Sequence, residues 1–475
     1  MHALLGVLSE LTDWISVDRF LAYGWFLQGT TSLDSLFDGA EVLRGRAARR
    51  RADLTGVLAW GRKPSARRAE AFAARRGLRV IRAEDGFLRS YGTGDRFPPL
   101  VVTIDEEGIY YDSTAPSVLE SLLNSSTDVL AGIQEDVIRA KALILGNRLS
   151  KYNHAPPFDP ALLRPGDRQR VLVIDQTAGD LAIVCGGAGP ESFARMLQAA
   201  LDENPDATVY VKTHPEVTAG RKGGYLTDVR DGDRVVVLRG FVNPLSLIEH
   251  MDRVYAVTST MGFEALLAGK QVSCFGMPWY AGWGATEDRL TCARRVRRRS
   301  VDEIFAAAYF HYSRYVNPDT DERGTIFDVI DWLIRQCAME ARQGGRSIWV
   351  GMQRWKFAYV LPMLSLHQGR AFLVQDAAAA ARLMPTSADR LIVWGAEVQD
   401  EIVRLAEQTG CRLVRAEDGF LRSVGLGSNF IPRCRWCWMS VGCISIPVVR
   451  RISNACCPRD VLTKQNWPKR VRCGP

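Results

Sequence analysis

Short apolar runs and longer amphipathic stretches alternate along the chain. From about residue 54 the apolar run "TGVLAWG" is followed by the amphipathic stretch "SARRAEAFAARRG" and by a second apolar run, "LRVIRAEDGF". The short runs predict buried strands, and the stretch between them predicts a helix that ends at Gly77. Strands that alternate with helices are typical of a parallel sheet covered by helices.

A second series of the same kind begins near residue 166. It contains the runs "QRVLVIDQTAGD", "ATVYVKTHPE", "DRVVVL" and "DRVYAVT", and the helical stretch "PESFARMLQAALDENP". One face of that helix is apolar and carries Phe193, Met196, Leu197, Ala200 and Leu201. Two such series predict an α/β fold of the GT-B-like type, with two Rossmann-like halves and a cleft between them.

Alternation alone also fits many dehydrogenases and kinases. The chain has no G-x-G-x-x-G that follows a strand and opens a helix, and no G-x-x-x-x-G-K-[ST]. NAD and ATP are therefore disfavoured, and we expect no cofactor.

The nonapeptide "RAEDGFLRS" occurs twice, at 82–90 and at 415–423, and similarity extends to both sides of each copy. The period is too long for a solenoid, so each copy is expected to belong to a domain-sized module. Similarity in the second copy stops at Pro432. The sequence thus predicts a first module with two halves, at 54–165 and 166–318. A helical linker at 319–346, a partial second module at 347–432 and a tail at 433–475 follow it. The segment 1–53 is assigned to no domain.

The tail is rich in arginine and cysteine. Its cysteines are Cys434, Cys437, Cys443, Cys456, Cys457 and Cys473. "CRWC" has the spacing of half a zinc site, but the tail holds no second such pair and no histidine. We favour an out-of-frame reading of a GC-rich gene over a zinc module, and expect the tail not to fold and the second module to be truncated.

The 475 residues carry a net charge of +8, much of it in the runs "RGRAARRR" and "RRVRRRS". Solvated surface is the simplest interpretation of such runs; contact with an anionic lipid surface comes next, and nucleic acid last, because no aromatic interleaving accompanies them. No apolar run is long enough to span a membrane, and the N-terminus lacks the pattern of an export signal, so we expect a cytoplasmic protein.

Polar residues follow several predicted strands, where open α/β sheets place their sites. Glu84 and Asp85 end one strand, Asp175 and Asp180 bracket a loop after another, and the pair His214 and Pro215 follows a third. Each type is also common in structural roles, since aspartate is an ordinary loop residue and a single histidine is more often structural than functional.

The stretch "TSTMGFEALLAGK" predicts a strand exit followed by a helix. Its Ser259, Thr260 and Gly262 lie where free N–H groups and hydroxyls favour an anion, although a plain N-cap fits equally well. Glu264, one turn further, is placed to contact a ribose or solvent.

In order and spacing, the EDG, HP and ST elements resemble those of bacterial sialyltransferases and their relatives, which use CMP-activated ulosonic acids. The stretches "RAEDGFLRSYGTG", "PPLVVTIDEEGIYYD", "VLVIDQTAGD", "VKTHPE", "TSTMGFEALLAGK" and "GMPWYAGWGATEDR" resemble the capsular polysaccharide biosynthesis family of the KpsC type, over 56–318 and again over 347–432. Members of this family carry two tandem modules, which would explain the repeated acidic motif.

The resemblance implies a retaining glycosyltransferase that moves β-Kdo from CMP-Kdo to a Kdo-terminated glycolipid in the synthesis of a capsule linker. It implies CMP-Kdo and a lipid-linked acceptor at the inner face of the inner membrane as partners, with capsule assembly proteins as further candidates and no nucleic acid. The half at 54–165 would be the acceptor side and the half at 166–318 the CMP-sugar side. The second module lacks every counterpart of "DQTAGD", "HPE" and "TSTMGFE", so activity is expected from the first module alone.

The resemblance also suggests roles for individual residues. Asp180 is the expected nucleophile, with Asp175 as the alternative, and Asp85 is the expected general base, with Glu84 as the alternative. The residues expected to bind the donor are His214, Pro215, Lys212, Ser259, Thr260, Gly262 and Glu264.

Lys212 and Arg89 are candidates for the sugar carboxylate on charge alone, and no metal is expected. Two other functions stay open at this point. One is an inverting transferase that uses a CMP-sialic-acid type of donor, and the other is a non-catalytic truncated remnant.

Overall fold

The structure, a computed structural model, describes residues 18–24, 27, 31–92, 97–166, 169–361, 370–418 and 436–440. The chain divides into two compact units, Met1–Cys337 and Ala338–Pro475. Among the described residues, no helix combines the length and apolar character that crossing a bilayer requires.

The first half of the first unit is built on five strands. They are β1 (Arg19–Ala22), β2 (Glu41–Leu43), β3 (Gly56–Trp60), β4 (Arg79–Asp85) and β5 (Val101–Asp105). Its helices are α1 (Gly45–Ala48), α2 (Pro64–Arg76), α3 (Val118–Asn124) and α4 (Gln134–Gly146), and 3₁₀ turns lie at Thr31–Leu36 and Pro160–Leu162.

The strand and helix boundaries follow from the local sequence. All five residues of β3 are buried because this apolar strand lies inside the sheet. Helix α2 buries only alanines against the sheet and ends where Gly77 adopts φ 64°, a conformation that glycine accepts at little cost. Strand β4 then runs parallel to β3 and carries the acidic motif to its end.

The second half contains a wholly parallel sheet. Its strands are β6 (Arg170–Ile174), β7 (Thr208–Lys212), β8 (Val235–Leu238), β9 (Arg253–Ala256), β10 (Gln271–Cys274) and β11 (Glu287–Asp288), in the order β11-β10-β9-β6-β7-β8. Its helices are α5 (Leu181–Cys185), α6 (Pro190–Glu203), α7 (Pro215–Thr218), α8 (Pro244–Ile248), α9 (Met261–Leu267) and α10 (Val301–Phe305).

Helix α6 packs on this sheet as its apolar face predicts. Phe193, Met196 and Ala200 are buried against Val171 and Val209, and Leu197 and Leu201 pack partly buried at the edge of the same cluster. The α/β fold with two Rossmann-like halves is therefore confirmed.

The chain then returns to the first sheet. A π-helical turn, Ala306–Tyr312, leads into β12 (Ser313–Val316), which pairs antiparallel with β5, and β13 (Arg323–Gly324) pairs with β12. The first sheet therefore has the order β13-β12-β5-β4-β3-β1-β2. Residues that the sequence assigns to the end of the second half thus complete the first half, and β1 and β2 come from the segment that the sequence left unassigned.

The second unit repeats part of this order. After α11 (Ile326–Gln343) come β14 (Ser347–Val350), α12 (Arg354–Val360), β15 (Ala371–Val374), α13 (Ala377–Ala381), β16 (Arg390–Trp394), α14 (Asp400–Thr409), β17 (Arg412–Asp418) and β18 (Trp436–Ser440). Its sheet order, β15-β14-β16-β17-β18, matches β2-β1-β3-β4-β5 in the first sheet. In both sheets only the last of these strands is antiparallel to its neighbour.

Strand β18 belongs to the stretch 433–475 that the sequence predicts not to fold. Its backbone pairs with β17, from Val414 with Ser440 to Asp418 with Trp436. The prediction therefore does not hold for these residues, since their backbone groups find partners on the open edge of β17. The rest of the tail lies outside the described residues.

Candidate active site

A cavity of about 430 Å³ opens between the two halves of the first unit. It lies at the carboxyl ends of β4, β6 and β7 and beyond the end of β9, where open α/β sheets bind their ligands. Its polar and charged lining includes Lys63, Glu84, Tyr110, Tyr111, Lys151, Tyr152, Asp175, Gln176, Asp180, Lys212, His214, Thr258, Ser259, Thr260 and Glu264.

Asp175 holds the loop that follows β6. It is 2% exposed, and its Oδ1 accepts hydrogen bonds from the N–H groups of Gln176 at 2.9 Å, Tyr225 at 3.0 Å and Leu226 at 3.3 Å. Burial raises the pKa of Asp175, although these N–H groups act in the opposite direction. Its Oδ2 is buried, and no described residue bonds to it. This carboxylate is therefore fixed and enclosed.

Asp180 is the more accessible of the two loop carboxylates. It is the N-cap of α5, where its Oδ1 accepts from the N–H of Ala182 at 3.0 Å, and it is half-buried at the cavity wall. The amide nitrogen of Gln176 lies 3.4 Å from its Oδ2. The same amide group accepts from the Thr258 N–H at 2.9 Å and donates to the Thr258 hydroxyl at 3.1 Å.

Gln176 thus ties Asp180 to the end of β9. Gln176 lies inside the acidic loop between the two aspartates, but a glutamine there gives no distinctive sequence signal. An amide that bonds across two strand ends orients the carboxylate beside it without carrying a charge of its own.

Of the acidic pair at the end of β4, only Glu84 lines the cavity. Glu84 fits closely against Gly61, where a Cβ atom would lie 2.4 Å from its Oε2. Burial, and next the charge of Asp85, raise the pKa of Glu84. Consecutive strand residues point to opposite faces, which explains why its neighbour does not share this environment.

Asp85 instead forms ion pairs. Its Oδ2 accepts from Arg89 Nε at 2.8 Å and lies 3.8 Å from Lys151 Nζ. Arg89 was expected at a sugar carboxylate, but its side chain does not line the cavity. It is 6% exposed and also donates to the carbonyl groups of Gly92 at 2.7 Å and Phe97 at 2.8 Å. It is therefore a structural arginine that holds the loop after the acidic motif.

His214 and Pro215 line the cavity beyond β7. His214 is the N-cap of α7, and its Nδ1 accepts from the Glu216 N–H at 3.2 Å. In the neutral ring this bond assigns the proton to Nε2, which lies 3.4 Å from the Tyr152 hydroxyl. Burial lowers the pKa of His214, so the neutral form predominates at pH 7.

Lys212 contributes a buried amine to the same wall. It is 4% exposed, and its Nζ donates to the Thr213 carbonyl at 2.6 Å. Burial lowers the pKa of Lys212 to about 8. A negatively charged ligand beside it would favour the ammonium form.

Ser259, Thr260 and Glu264 line the cavity at the start of α9, as expected, but Gly262 does not. Gly262 lies under the Tyr280 ring, and a Cβ atom there would lie 2.0 Å from the Tyr280 hydroxyl. That hydroxyl donates to the Ser259 carbonyl at 2.6 Å. Gly262 is therefore required for close packing against Tyr280.

Glu264 is 5% exposed, and burial raises its pKa to about 8. No described residue bonds to its Oε2. A further buried polar atom without a described partner is the indole nitrogen of Trp279, whose ring packs 4.6 Å from Phe87 and 4.4 Å from Phe263. Buried polar atoms of this kind normally find a partner, and a bound ligand can supply one.

Four residues that line the cavity were given no role from the sequence: Lys151, Tyr152, Tyr110 and Trp279. Burial opposes the charge of Lys151, but Asp85, Tyr152 and Glu84 raise its pKa overall. Trp279 could have been found from the sequence, because it lies in the quoted stretch "GMPWYAGWG". Lys151 follows no strand, so no sequence pattern pointed to it as a site residue. No group of three or more His, Cys, Asp or Glu side chains within the described ranges is arranged to hold a metal ion.

Comparison with known proteins adds to this geometry. Residues 55–316 match the family model described as "Capsule polysaccharide biosynthesis protein". The capsule polysaccharide modification protein LipA of Neisseria meningitidis serogroup B (strain ATCC BAA-335 / MC58) is 45% identical over 385 residues, which cover 79% of this chain and 54% of LipA. The lipopolysaccharide-processing protein LpsZ of Rhizobium meliloti is 38% identical over 258 residues, covering 54% of this chain and 58% of LpsZ.

The chain thus spans about half the length of the curated relatives it matches. Among solved structures, Thermosulfurimonas dismutans KpsC, a β-Kdo 2,4 transferase, matches with a TM-score of 0.62 and 44% identity. The match covers 67% of this chain and 98% of that one.

Proposed function

Because this chain belongs to the capsule polysaccharide biosynthesis protein family, we propose that its first unit is a retaining glycosyltransferase acting in capsule linker synthesis. The donor would be CMP-Kdo and the acceptor a Kdo-terminated glycolipid. The observation that carries the proposal is the cavity in which Asp180 of one half and Glu84 of the other half line the same space. The 44% identity to a β-Kdo transferase supports the choice of sugar.

Retention by a carboxylate nucleophile needs two displacements. In the first, an Asp180 oxygen bonds to the anomeric carbon of Kdo while the bond to the CMP phosphate breaks. In the second, the acceptor hydroxyl attacks the same carbon and releases Asp180. Asp180 suits this role better than Asp175 because its carboxylate is half-buried at the cavity wall, whereas Asp175 is enclosed by three N–H groups.

The leaving CMP carries negative charge that the cavity can neutralise. His214 presents the proton on Nε2, Lys212 can take up a proton beside phosphate, and Ser259 offers a hydroxyl at the start of α9. Charge-assisted hydrogen bonds of this kind are about twice as strong as neutral ones. No metal ion is needed in this scheme.

The acceptor hydroxyl must lose a proton during the second displacement. We assign this step to Glu84, because it lines the cavity and its raised pKa makes it a better base than an ordinary carboxylate. Asp85, the first choice from sequence, is engaged by Arg89 and Lys151. Its role would be to hold the motif in place.

The test is incubation of the purified full chain with CMP-Kdo, generated in situ, and a synthetic Kdo-terminated acceptor, followed by mass spectrometry. We expect addition of Kdo by the unaltered chain, no addition by Asp180→Asn, and normal addition by Asp206→Asn, an exposed control on the same half. Calorimetry should show that Asp180→Asn still binds CMP.

Two outcomes would replace the proposal. Substantial product from Asp180→Asn together with an inactive Glu84→Gln would indicate an inverting transferase. Absence of both product and CMP binding in the unaltered chain would indicate a non-catalytic remnant.

A further inference from the structure

The two arginine-rich runs of the sequence differ in how many of their side chains are paired in the fold. In the run at 294–299, three arginines bond within the first unit. Arg294 and Arg295 pair with buried Glu120 at 2.6 and 3.1 Å, and Arg299 donates to the Leu123 carbonyl at 2.9 Å. Most of this run therefore serves to join elements of the first unit.

The run at 44–51 and the neighbouring helix α2 carry arginines that are not paired in this way. The side chains of five exposed arginines, which lie in α1, in the turn after it and in α2, make no hydrogen bond or ion pair with the described residues: Arg46, Arg50, Arg67, Arg68 and Arg75. We refer to these five residues as the α1–α2 basic face. Such a group of unpaired like charges on a folded surface repels itself, and an anionic partner would relieve that repulsion.

Contacts fix the two helices relative to each other. Arg76, at the end of α2, donates to the Arg49 carbonyl at 3.0 Å and to the Arg51 carbonyl at 2.6 Å. The basic face is therefore a rigid surface and not a loose tail of charges.

The carboxylates within and beside this stretch of chain are paired with arginines outside the basic face, as exposed Glu41 is with Arg19 at 2.9 Å. Asp53 and Glu70 are the only acidic residues between 44 and 77. Asp53 pairs with Arg51 at 2.7 Å, and Glu70 pairs with Arg82 at 2.9 Å. Both acidic charges are thus already used inside the fold.

The basic face begins beside the active site. Lys63, the N-cap of α2, lines the cavity, and α2 extends for 13 residues from there. At 1.5 Å per residue the helix covers about 20 Å. Arg67, four residues after Lys63, therefore lies about one helical turn from a residue that lines the cavity.

We propose that the α1–α2 basic face docks the protein on the anionic phospholipid headgroups of a bilayer. The choice of lipid rests on the proposed function, since a glycolipid acceptor must be met at a bilayer surface. Single-stranded nucleic acid fits less well, because the aromatic rings nearby, Phe72 and Tyr23, are half-buried and lie under Arg76 and Arg49. Exposed rings on which bases could stack are usual in such sites.

The test is co-sedimentation of the full chain with vesicles of phosphatidylcholine, with and without phosphatidylglycerol. Each arginine near an anionic bilayer contributes about 1 kcal/mol, which is a factor of about five in partitioning. The double variant Arg68→Ala, Arg75→Ala should therefore bind anionic vesicles about 25-fold more weakly. The matched control is Arg297→Ala, Arg298→Ala, which removes two exposed arginines from the other run and should bind normally.

Equal loss in both double variants would mean that net charge alone drives binding and would overturn the assignment to this face. Failure of the unaltered chain to bind anionic vesicles would overturn the proposal itself. Tighter, salt-sensitive binding of a single-stranded RNA oligomer, lost in the α2 variant, would assign the face to nucleic acid instead.

CMP binding, measured by calorimetry, checks that each variant is folded. The vesicle assay needs no CMP-Kdo and no acceptor, so its result stands apart from the proposed transferase activity. If both proposals hold, the α2 variant should transfer Kdo normally to a water-soluble acceptor and more slowly to one embedded in anionic vesicles.

Discussion

At the scale of single residues, three buried polar atoms at the cavity have no partner among the described residues. Asp175 Oδ2, Glu264 Oε2 and Trp279 Nε1 are buried, and none of them bonds to a described residue. A buried polar group without a partner costs about 1 to 3 kcal/mol, so a fold retains such groups where a ligand or water completes them. All three belong to residues that line the cavity, where a bound ligand could complete them.

Glu264 should make the stability of the ligand-free protein depend on pH. Its pKa in the folded state, about 8, lies above the ordinary value of 4.5, so the folded protein holds this proton more tightly than the unfolded chain. The stabilisation is complete below pH 4.5 and is lost as the pH rises from 4.5 to about 8. We expect a loss on the order of 5 kcal/mol in the free energy of unfolding over this range.

Denaturant unfolding at several pH values checks this expectation. Glu264→Gln should lack this pH-dependent component, whereas Glu322→Gln, a substitution of an exposed glutamate, should retain it. An unchanged pH profile in Glu264→Gln would show that this carboxyl is not buried in solution.

His214 has two roles that substitution can separate. Asparagine at this position keeps an N-cap acceptor for the Glu216 N–H but removes the Nε2 proton, whereas alanine removes both. We expect both variants to bind CMP about 10- to 100-fold more weakly, the value of a hydrogen bond to a charged group. Only His214→Ala should also lose up to about 1 kcal/mol of stability. Calorimetry and denaturant unfolding measure the two effects, and normal CMP binding by His214→Asn would remove His214 from the donor site.

Sequence reasoning found the loop residues of the site but not their orientations. Asp180 and His214 could be found from sequence because they lie in short loops that follow apolar runs. It placed Asp85 and Arg89 in the cavity, yet their side chains pair with each other. Which of two adjacent strand residues faces the cleft depends on how the sheet is covered, and that is settled by packing between distant segments.

At the scale of elements, local sequence patterns could not predict which strands pair when they are far apart in the chain. Strand β12 pairs with β5, so that Tyr315 lies opposite Val101. No local spacing encodes this pairing, which forms only when the second half has folded back onto the first. By contrast, α2 and β3 were predicted with nearly their observed bounds, because helix and strand periodicity and the Gly77 cap are local signals.

A buried ion cluster connects these elements to the cavity wall. Arg295 pairs with Glu120 of α3 at 3.1 Å and donates to the carbonyls of Pro278 and Ala281, both at 2.6 Å. Those carbonyls flank Trp279, so the cluster positions a residue that lines the cavity.

Glu120→Gln should destabilise the first unit by about 3 kcal/mol, because it leaves a buried arginine without its counter-charge. Glu249→Gln breaks an exposed pair with Arg148, at 2.8 Å, and should change stability by less than about 1 kcal/mol. Denaturant unfolding compares the two variants directly. Equal losses of stability in the two variants would show that the buried cluster contributes no more to stability than the exposed ion pair.

At the scale of the whole molecule, the acidic motif occurs in two settings. The second unit repeats the strand order of the first five strands, and Gly395 lies near Glu417 there as Gly61 lies near Glu84 in the first unit. The first unit also has the parallel sheet β6–β11, whose loops supply Asp180, His214 and Ser259. In the described part of the second unit, the sheet contains only the strands that correspond to β1–β5.

The duplicated motif therefore provides an internal control for the proposed base. Glu84→Gln should lower kcat/KM by about 10²- to 10⁴-fold, the usual value of general base catalysis. It should also remove the rise of kcat/KM with pH that deprotonation of Glu84 causes, a rise shifted above the ordinary glutamate range because burial and Asp85 raise its pKa.

Glu417→Gln makes the same chemical change in the second copy and should leave both the rate and the pH profile unaltered, since no described donor-side loops face that motif. Equal losses in the two variants would mean that the second copy takes part in transfer, and the active site would then have to be sought beyond the first unit.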